Sequence, residues 1–308
     1  MVRNLLEMGA TKVKVLSRDE SKQHQLSLDI GEKYLELILG DVRDSETVQK
    51  AIKGMDYVFH AAALKHVPAS ENNPMEYVKT NIYGSHNLLN SLVNSSVKGC
   101  VFLSTDKAVY PVNAMGMSKA LMEKIVRSTS YESKTIKCIT RYGNVIGSRG
   151  SVIPYFIDCV KNAKPIQITD WRMTRFMMSL QDSVDLVLHA MFSGNSGDLF
   201  VKKSPGASLK TILDAVEIIV GKKASKIEIS GVRPGEKIHE TLLNVEEYSI
   251  AIESENYFQV PSIFNEIIDR KARTTDNASD YRSDNTSQLN SSELADILVK
   301  NLDVNKML

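Results

Sequence analysis

Cysteine is scarce here: Cys100, Cys138 and Cys159 are three in 308 residues, far apart and each inside an apolar run. No disulfide framework and no Cys-x-x-Cys metal or redox site follows from such spacing, so they read as core packing in a reducing compartment. No apolar stretch approaches the roughly 18 residues that a membrane-spanning helix needs. The N-terminus also lacks a short apolar block with a cleavage site, so a cytoplasmic protein without membrane insertion is expected. An excess of charge is missing too. With 38 basic and 37 acidic residues interspersed, a formal net charge of +1 offers no field to gather nucleic acid, and none is expected as a partner. His60, His66, His86, His189 and His239 show no metal-ligand spacing, so no metal is expected, and the lone Trp171 is expected to pack.

What is present is an ordinary globular composition, 43% hydrophobic and 24% charged, with length enough for one large domain and a smaller appendage. Strand-like runs at 13–17, 35–41, 57–63, 100–105 and 137–145 alternate with amphipathic stretches such as 45–53 and 77–93. That order predicts an α/β protein with a doubly wound parallel sheet, Rossmann-like, and a smaller C-terminal substrate-binding region. The expected division is 1–146 for the dinucleotide-binding sheet domain, 147–270 mostly for substrate, interleaved with the sheet, and 271–308 for a polar segment and a helix. Asn290 with Glu293 reads as that helix's start, and Leu294, Ile297, Leu298 and Leu302 as its apolar face. Dinucleotide-binding folds open with a strand, a glycine-rich turn and a helix. No such turn occurs here. Residues 1–8 read as the back half of that first helix, ended by Gly9, with the central strand and phosphate cradle expected roughly 15 to 20 residues upstream of Met1.

Ligands of doubly wound sheets gather at the carboxyl ends of the strands, and the unusual residues fall there. Ser17 and Arg18 end the first strand, and an arginine at this place suits the extra phosphate of NADP. Asp41 and Val42 would lie beside the adenine or form a plain strand-end turn. Ala61, Ala62 and Ala63 remove bulk where a cofactor could cross the sheet, and Asn81 is counted with the cofactor-binding residues, where it would do that work by fixing a neighbouring strand or loop. Lys65 and Tyr142 are further cofactor candidates, and Lys65 and Thr105 candidates for substrate. Asp106-Lys107 is the sharpest pair, because a carboxylate and an ammonium adjacent at a strand end are either a surface pair or working groups. Lys119 would reach the ribose of the nicotinamide. Arg175 and Arg233 suit a diphosphate, and Pro234-Gly235 suggests a tight turn presenting Arg233 and Glu236.

The ordered motifs SRDE, GDVRD, FHAAALKHVP, KTNIYGS, STDKAVYPVNAMGMSKALMEK, RYGNVIGSRGSVIPYF, MTRFMMS and VRPGEKIHETL span nearly the whole chain. Together they closely resemble the capsular-polysaccharide family of UDP-N-acetylglucosamine 4,6-dehydratase/5-epimerases, extended short-chain dehydrogenases/reductases that hold NADP. Where such enzymes usually carry a Tyr-x-x-x-Lys pair this chain has Met115 and Lys119, as in a subgroup of the family. The resemblance implies oxidation at C4 of a UDP-sugar, loss of water from C6, return of the hydrogen to C6 and inversion at C5, making a UDP-4-keto-6-deoxy sugar for capsule or O-antigen. It implies Lys107 as the base at C5 and Asp106 as the acid at C6. Met115 would supply apolar shape beside the nicotinamide, and the C4 hydroxyl proton would go to Asp106, to Lys119 or through a water. Asn144 and Arg149 match positions that hold the nucleotide, and Arg175 and Arg233 the phosphates. The 281–289 segment, YRSDNTSQL, matches one that makes subunit contacts, so a homo-oligomer is expected, a hexamer among the forms considered. Two rivals stand beside this reading: a UDP-sugar 4-epimerase acting on UDP-N-acetylglucosamine or UDP-glucose, and an inactive truncated fragment or non-catalytic nucleotide-sugar binder.

Overall fold

The structure, a computed structural model, describes residues 1–31, 33–148, 150–262 and 279–302. The first half alternates helices and strands: α1 (Val2–Glu7), β1 (Val13–Ser17), α2 (Glu20–Ile30), β2 (Leu35–Leu39), α3 (Ser45–Ile52), β3 (Tyr57–His60), α4 (Val67–Asn72), α5 (Pro74–Tyr77), α6 (Gly84–Val93), β4 (Gly99–Leu103), α7 (Ala114–Ser128) and β5 (Ile136–Arg141). The second half is more broken, with β6 (Asn144–Val145), α8 (Val152–Lys161), β7 (Ile166–Ile168), β8 (Thr174–Met178), α9 (Leu180–Ser193), β9 (Leu199–Lys202), β10 (Gly206–Ser208), α10 (Leu209–Val220), β11 (Ile227–Ile229), β12 (Thr241–Leu243), α11 (Val245–Ile250), β13 (Ile252–Glu253), β14 (Tyr257–Val260), β15 (Tyr281–Arg282) and α12 (Ser291–Asn301). Short polar side chains set the helix starts by accepting otherwise orphaned backbone N–H groups: Asp19 accepts from Lys22, Asp44 from Glu46 and Asn113 from Gly116.

Strands β3, β4, β5 and β9 run parallel and are extended antiparallel by β14 and β13, giving a six-stranded order β13-β14-β9-β5-β4-β3. Strands β1 and β2 pair in parallel as a separate two-stranded set. The parallel, doubly wound plan is as expected, although the strands stop earlier, leaving Asp41 and Ala61–Ala63 in the turns beyond β2 and β3. Helices cover both faces of the central strands, which is why those strands read as nearly unbroken apolar runs. Cys100, Phe102 and Ile139 pack with Leu88, Leu92, Met122 and Val126 from α6 and α7. On the other face, Val101, Cys138 and Phe200 meet Leu186, Val187 and Ala190 from α9.

A further core joins α8, α10 and α12 through Phe156, Cys159, Ile212, Val216, Leu294 and Leu298, with Trp171 packed at its edge. All three cysteines are therefore buried free thiols, as their apolar settings predicted. Asn290 and Glu293 cap α12 reciprocally, and Leu294 and Leu298 are its buried face, with Ile297 and Leu302 at its margin. The 281–289 stretch, expected at a subunit contact, is built into its own chain. Tyr281 belongs to β15, which pairs with β12, and its hydroxyl donates to the Ser204 carbonyl at 3.1 Å. Residues 271–278 of the expected polar segment lie outside the described residues.

One buried ion network ties the sheet to α7. Arg141, at the end of β5, donates to both oxygens of Glu123 on α7 and to both of Glu247 on α11, and also to the Leu242 carbonyl at 3.1 Å. Burial opposes the guanidinium's charge, but the two carboxylates outweigh it and hold its pKa above the ordinary value. Removing one member strands charge in a low-dielectric interior. Arg141→Met is expected to destabilise the fold by about 3–5 kcal/mol, read as a lowered urea midpoint.

Candidate active site

Beyond β4 the chain makes one tight 3-10 turn, Asp106–Ala108, started by Thr105, whose Oγ1 accepts from the Lys107 N–H at 3.4 Å. Gly116 at the head of α7 lets the helix press on this turn: a Cβ there would lie 2.3 Å from the Lys107 carbonyl oxygen. Asp106 is buried at 1% exposure. Its Oδ1 accepts from Thr105 Oγ1 at 2.7 Å and from Lys107 Nζ at 3.1 Å, while its Oδ2 has no hydrogen-bond partner. Lys107 Nζ also lies 3.4 Å from Oε1 of Glu240, itself 3% exposed, and that oxygen is 3.7 Å from Arg175 Nε.

The three ionisable groups settle into different protonation tendencies. Burial, helped by the Glu240 charge, pushes the Asp106 carboxyl upward against the pull of Lys107. Burial opposes the Lys107 charge, yet the carboxylates of Asp106 and Glu240 hold the ammonium above its ordinary value. Glu240 is held below the ordinary range because Lys107, Arg175 and Lys237 together outweigh its burial. Asp106 thus suits an acid. The expectation of Lys107 as a base meets a setting that favours its ammonium, since the charges of Asp106 and Glu240 outweigh its burial.

A cleft of about 740 Å³ opens over this cluster, and it brings together Lys107, Asn144, Arg175, Arg233 and Glu236 from the expected set. Glu240, Asn113 and Lys237 line it as well, and sequence reasoning missed them. The available signal was the acid at 240 close to the apolar residues Ile238, Leu242 and Leu243. Asn144 Oδ1 and Ser151 Oγ are buried in the cleft wall without hydrogen-bond partners. Asn113 Nδ2 donates to the Gly235 carbonyl at 2.9 Å, and Gly235 adopts a positive φ of 79°, so the expected turn is present and seated on the start of α7.

Several expected binders have other work. Arg175 donates to the carbonyls of Thr174 at 2.7 Å, Ile238 at 3.1 Å and Lys237 at 3.2 Å, so its guanidinium clamps the 237–240 segment rather than reaching for a phosphate. Thr105 is engaged with Asp106 and is not among the cleft-lining residues, and neither is Lys65, which is exposed. Arg149 lies outside the described residues. Tyr142 packs with Phe59 and Leu103 against the α9 face of the sheet, where burial pushes its phenol up.

At the carboxyl ends of β1 and β2, Arg18 meets Asp41 at 3.2 Å, and Arg43 meets Asp41 at 2.7 Å and Glu76 at 2.9 Å. Ser17 Oγ accepts from the Asp19 N–H at 3.1 Å, and Val42 packs on Gly84, where an added Cβ would come within 2.7 Å. Ala61 and Ala63 are exposed past β3, with Ala62 partly buried. Asn81 is fully buried, and its amide is spent on the Leu64 N–H and carbonyl and on Ser118 Oγ, so it fixes the loop after β3 to α7 rather than offering a free atom to a cofactor.

Met115 and Lys119 are both buried on α7, at 3% and 6% exposure. Lys119 Nζ reaches Met122 Sδ at 3.3 Å, a weak acceptor, and has no oxygen acceptor among the described residues. Burial lowers its pKa to about 8, with Glu123 pulling the other way. His60 is held neutral, at about 3, by burial and by the Lys119 charge, and meets Ser85 Oγ at 2.9 Å. A buried ammonium lacking an oxygen partner, small residues past β3 and two arginines past β1 and β2 fit a nicotinamide dinucleotide laid along the strand ends.

This parallel sheet, with its cleft at the strand ends, has the Rossmann-like architecture of the extended short-chain dehydrogenases/reductases, the class of nucleotide-sugar epimerases and dehydratases. Residues 1–262 match the family described as polysaccharide biosynthesis protein (Polysacc_synt_2), and the chain belongs to it. It is 43% identical over 300 residues to a UDP-glucose 4-epimerase of Rickettsia felis, covering 95% of this chain and 87% of that one. The X-ray structure of Pen from Bacillus thuringiensis superposes with a TM-score of 0.89 at 35% identity, over 100% of this chain and 93% of that one. A UDP-glucose 4-epimerase of Thermus thermophilus, solved as a complex with NAD, gives 0.67 at 25% identity, over 76% and 83%. Among the described residues no helix is long and apolar enough to cross a membrane.

Lys119 makes stability depend on pH in a definite direction. Below pH 8 it is protonated in both states and its burial costs stability; between about 8 and 10.5 only the unfolded chain keeps the proton, so stability rises with pH. Lys119→Met is therefore expected to stabilise the fold at pH 7, by up to about 3 kcal/mol, with the gain fading as pH approaches 10.5. Urea midpoints at pH 7 and 9.5 check this.

Proposed function

We propose that this chain is a UDP-sugar 4-epimerase that oxidises its substrate at C4 and reduces it again from the other face. The observation that supports this most is the nearly full-length likeness to relatives named UDP-glucose 4-epimerase. In this reading Arg233 and Lys237 bind the diphosphate by charge, Asn144 and Ser151 take polar groups of the nucleotide, and Lys119 holds the cofactor's ribose hydroxyls. A bound nicotinamide dinucleotide would supply reversible hydride exchange. Met115 carries a thioether, which has no proton to give and only a weak acceptor, so the C4 hydroxyl proton goes to another group. Lys119, poised near pH 8, and the raised carboxyl of Asp106 are the candidates.

A second reading, UDP-N-acetylglucosamine 4,6-dehydratase with C5 epimerisation, is favoured by one specific feature: the buried Asp106–Lys107–Glu240 cluster, of which Lys107 and Glu240 line the cleft. Epimerisation at C4 needs one proton acceptor, whereas elimination needs both an acid and a base. Incubation with UDP-N-acetylglucosamine and UDP-glucose separates the readings. The C4 epimers alone support the first, a 4-keto-6-deoxy product supports the second, and neither turnover nor bound dinucleotide supports a non-catalytic binder.

NADP is the proposed cofactor, on the strength of Arg18 and Arg43 past the first two strands. Their shared partner Asp41 is half of the contest, since a 2′-phosphate would have to compete with it for both arginines. Arg18→Ala is expected to weaken NADP binding about 10- to 100-fold while changing NAD binding little. Calorimetric titration of each dinucleotide measures it, and equal losses for both would count against NADP.

A further inference from the structure

Strand β11 is an open edge. It pairs in parallel with β7 and, among the described residues, with no other strand. The Ile166 N–H donates to the Lys226 carbonyl at 2.9 Å, and the Ser230 N–H to the Ile168 carbonyl at 2.8 Å. Lys226, Glu228 and Ser230 therefore turn their backbone groups toward β7, and Ile227 and Ile229 turn theirs outward. The same two isoleucines are 43% and 59% exposed. On the other face of the strand Lys226 Nζ lies 2.6 Å from Glu228 Oε1, and Gln167 Nε2 donates to Glu228 Oε2. The opposite side of β7 belongs to the cleft, where Gln167, Ile168 and Thr169 line the wall and the Gln167 N–H donates to Tyr155 Oη at 2.9 Å. An apolar edge with outward N–H and C=O groups is a template for a further strand.

We propose that β11 pairs antiparallel with β11 of a second copy of this chain, about a two-fold axis at Ile227. Charge selects both the occupant and the register. Read backwards, Lys226-Ile227-Glu228 is its own complement: the axis at Ile227 sets Lys226 opposite the partner's Glu228 and Glu228 opposite the partner's Lys226, two cross-strand pairs of opposite charge. Ile227 meets the partner's Ile227 in a hydrogen-bonded pair, and Ile229 lies diagonally beside it, so the exposed isoleucines of both copies cover one another. An axis at Glu228 instead sets two carboxylates face to face. One at Ile229 leaves Lys226 and Glu228 with no opposite charge across the pair. The contact is self-complementary, as two-fold association requires. With β7 between β11 and the cleft, the paired edge backs the cleft wall of each copy, whichever reaction that cleft performs.

Sedimentation velocity over a concentration series tests the pairing in the full chain. Wild type is expected to self-associate. Lys226→Glu and Glu228→Lys each set like charges opposite one another and are expected to weaken that association about 10-fold. An equimolar mixture of the two variants is expected to restore it, since two acids on one chain then face two bases on the other. Each variant keeps its own internal ion pair broken, so recovery on mixing reports only the contact between copies. The register is read by cross-linking: Ile227→Cys is expected to form a disulfide between copies under mild oxidation, its two Cα atoms lying about 5.5 Å apart, whereas Ile229→Cys is not. The native cysteines are buried and leave the reading clear. A wild type that stays monomeric, association unchanged in both charge variants, no recovery on mixing, or Ile227→Cys that fails to cross-link overturns the proposal.

Discussion

A lysine ammonium held between two buried carboxylates organises this molecule. Lys107 and Asp106 come from the turn after β4, and Glu240 comes from the segment entering β12, so their contact joins the parallel sheet to the C-terminal part of the chain. Charges out of water are tolerated only when paired. The pairing here is also uneven, with one carboxyl pushed up, one held down and a cation between them. Environments that drive neighbouring titratable groups apart are what acid–base chemistry at neutral pH requires.

The surrounding architecture serves that cluster at several removes. Gly116 permits the head of α7 to touch the Lys107 backbone, Asn113 ties the same helix end to Gly235, and Arg175 clamps the carbonyls before Glu240. The buried Arg141 network fixes α7 to the end of β5, which in turn sets the height of Met115 and Lys119 above the strand ends. Met115 replaces a titratable phenol with a thioether, and the site answers with a lysine tuned toward neutrality by burial alone.

Much of the arrangement was legible in the residue order because its signals are local. Alternating apolar runs gave away the parallel sheet, since strands covered on both faces must be apolar throughout. The Asn290–Glu293 cap and the Leu294–Leu298 stripe of α12 are fixed by spacing alone. Asp106-Lys107 stood out because two opposite charges at the end of a buried strand have few places to go, and the Arg233–Glu236 turn because Pro-Gly bends the chain. What tertiary structure decided was which polar group meets which. Arg175 looked like a phosphate ligand, and its three carbonyl partners, two of them more than sixty residues away, made it a clamp. Asn81 looked like a binder and is consumed within the scaffold. Glu240 carried only the faint mark of an acid close to apolar residues, because a carboxylate's protonation is set by the charges that folding brings to it, and two of these, Lys107 and Arg175, lie far away along the chain.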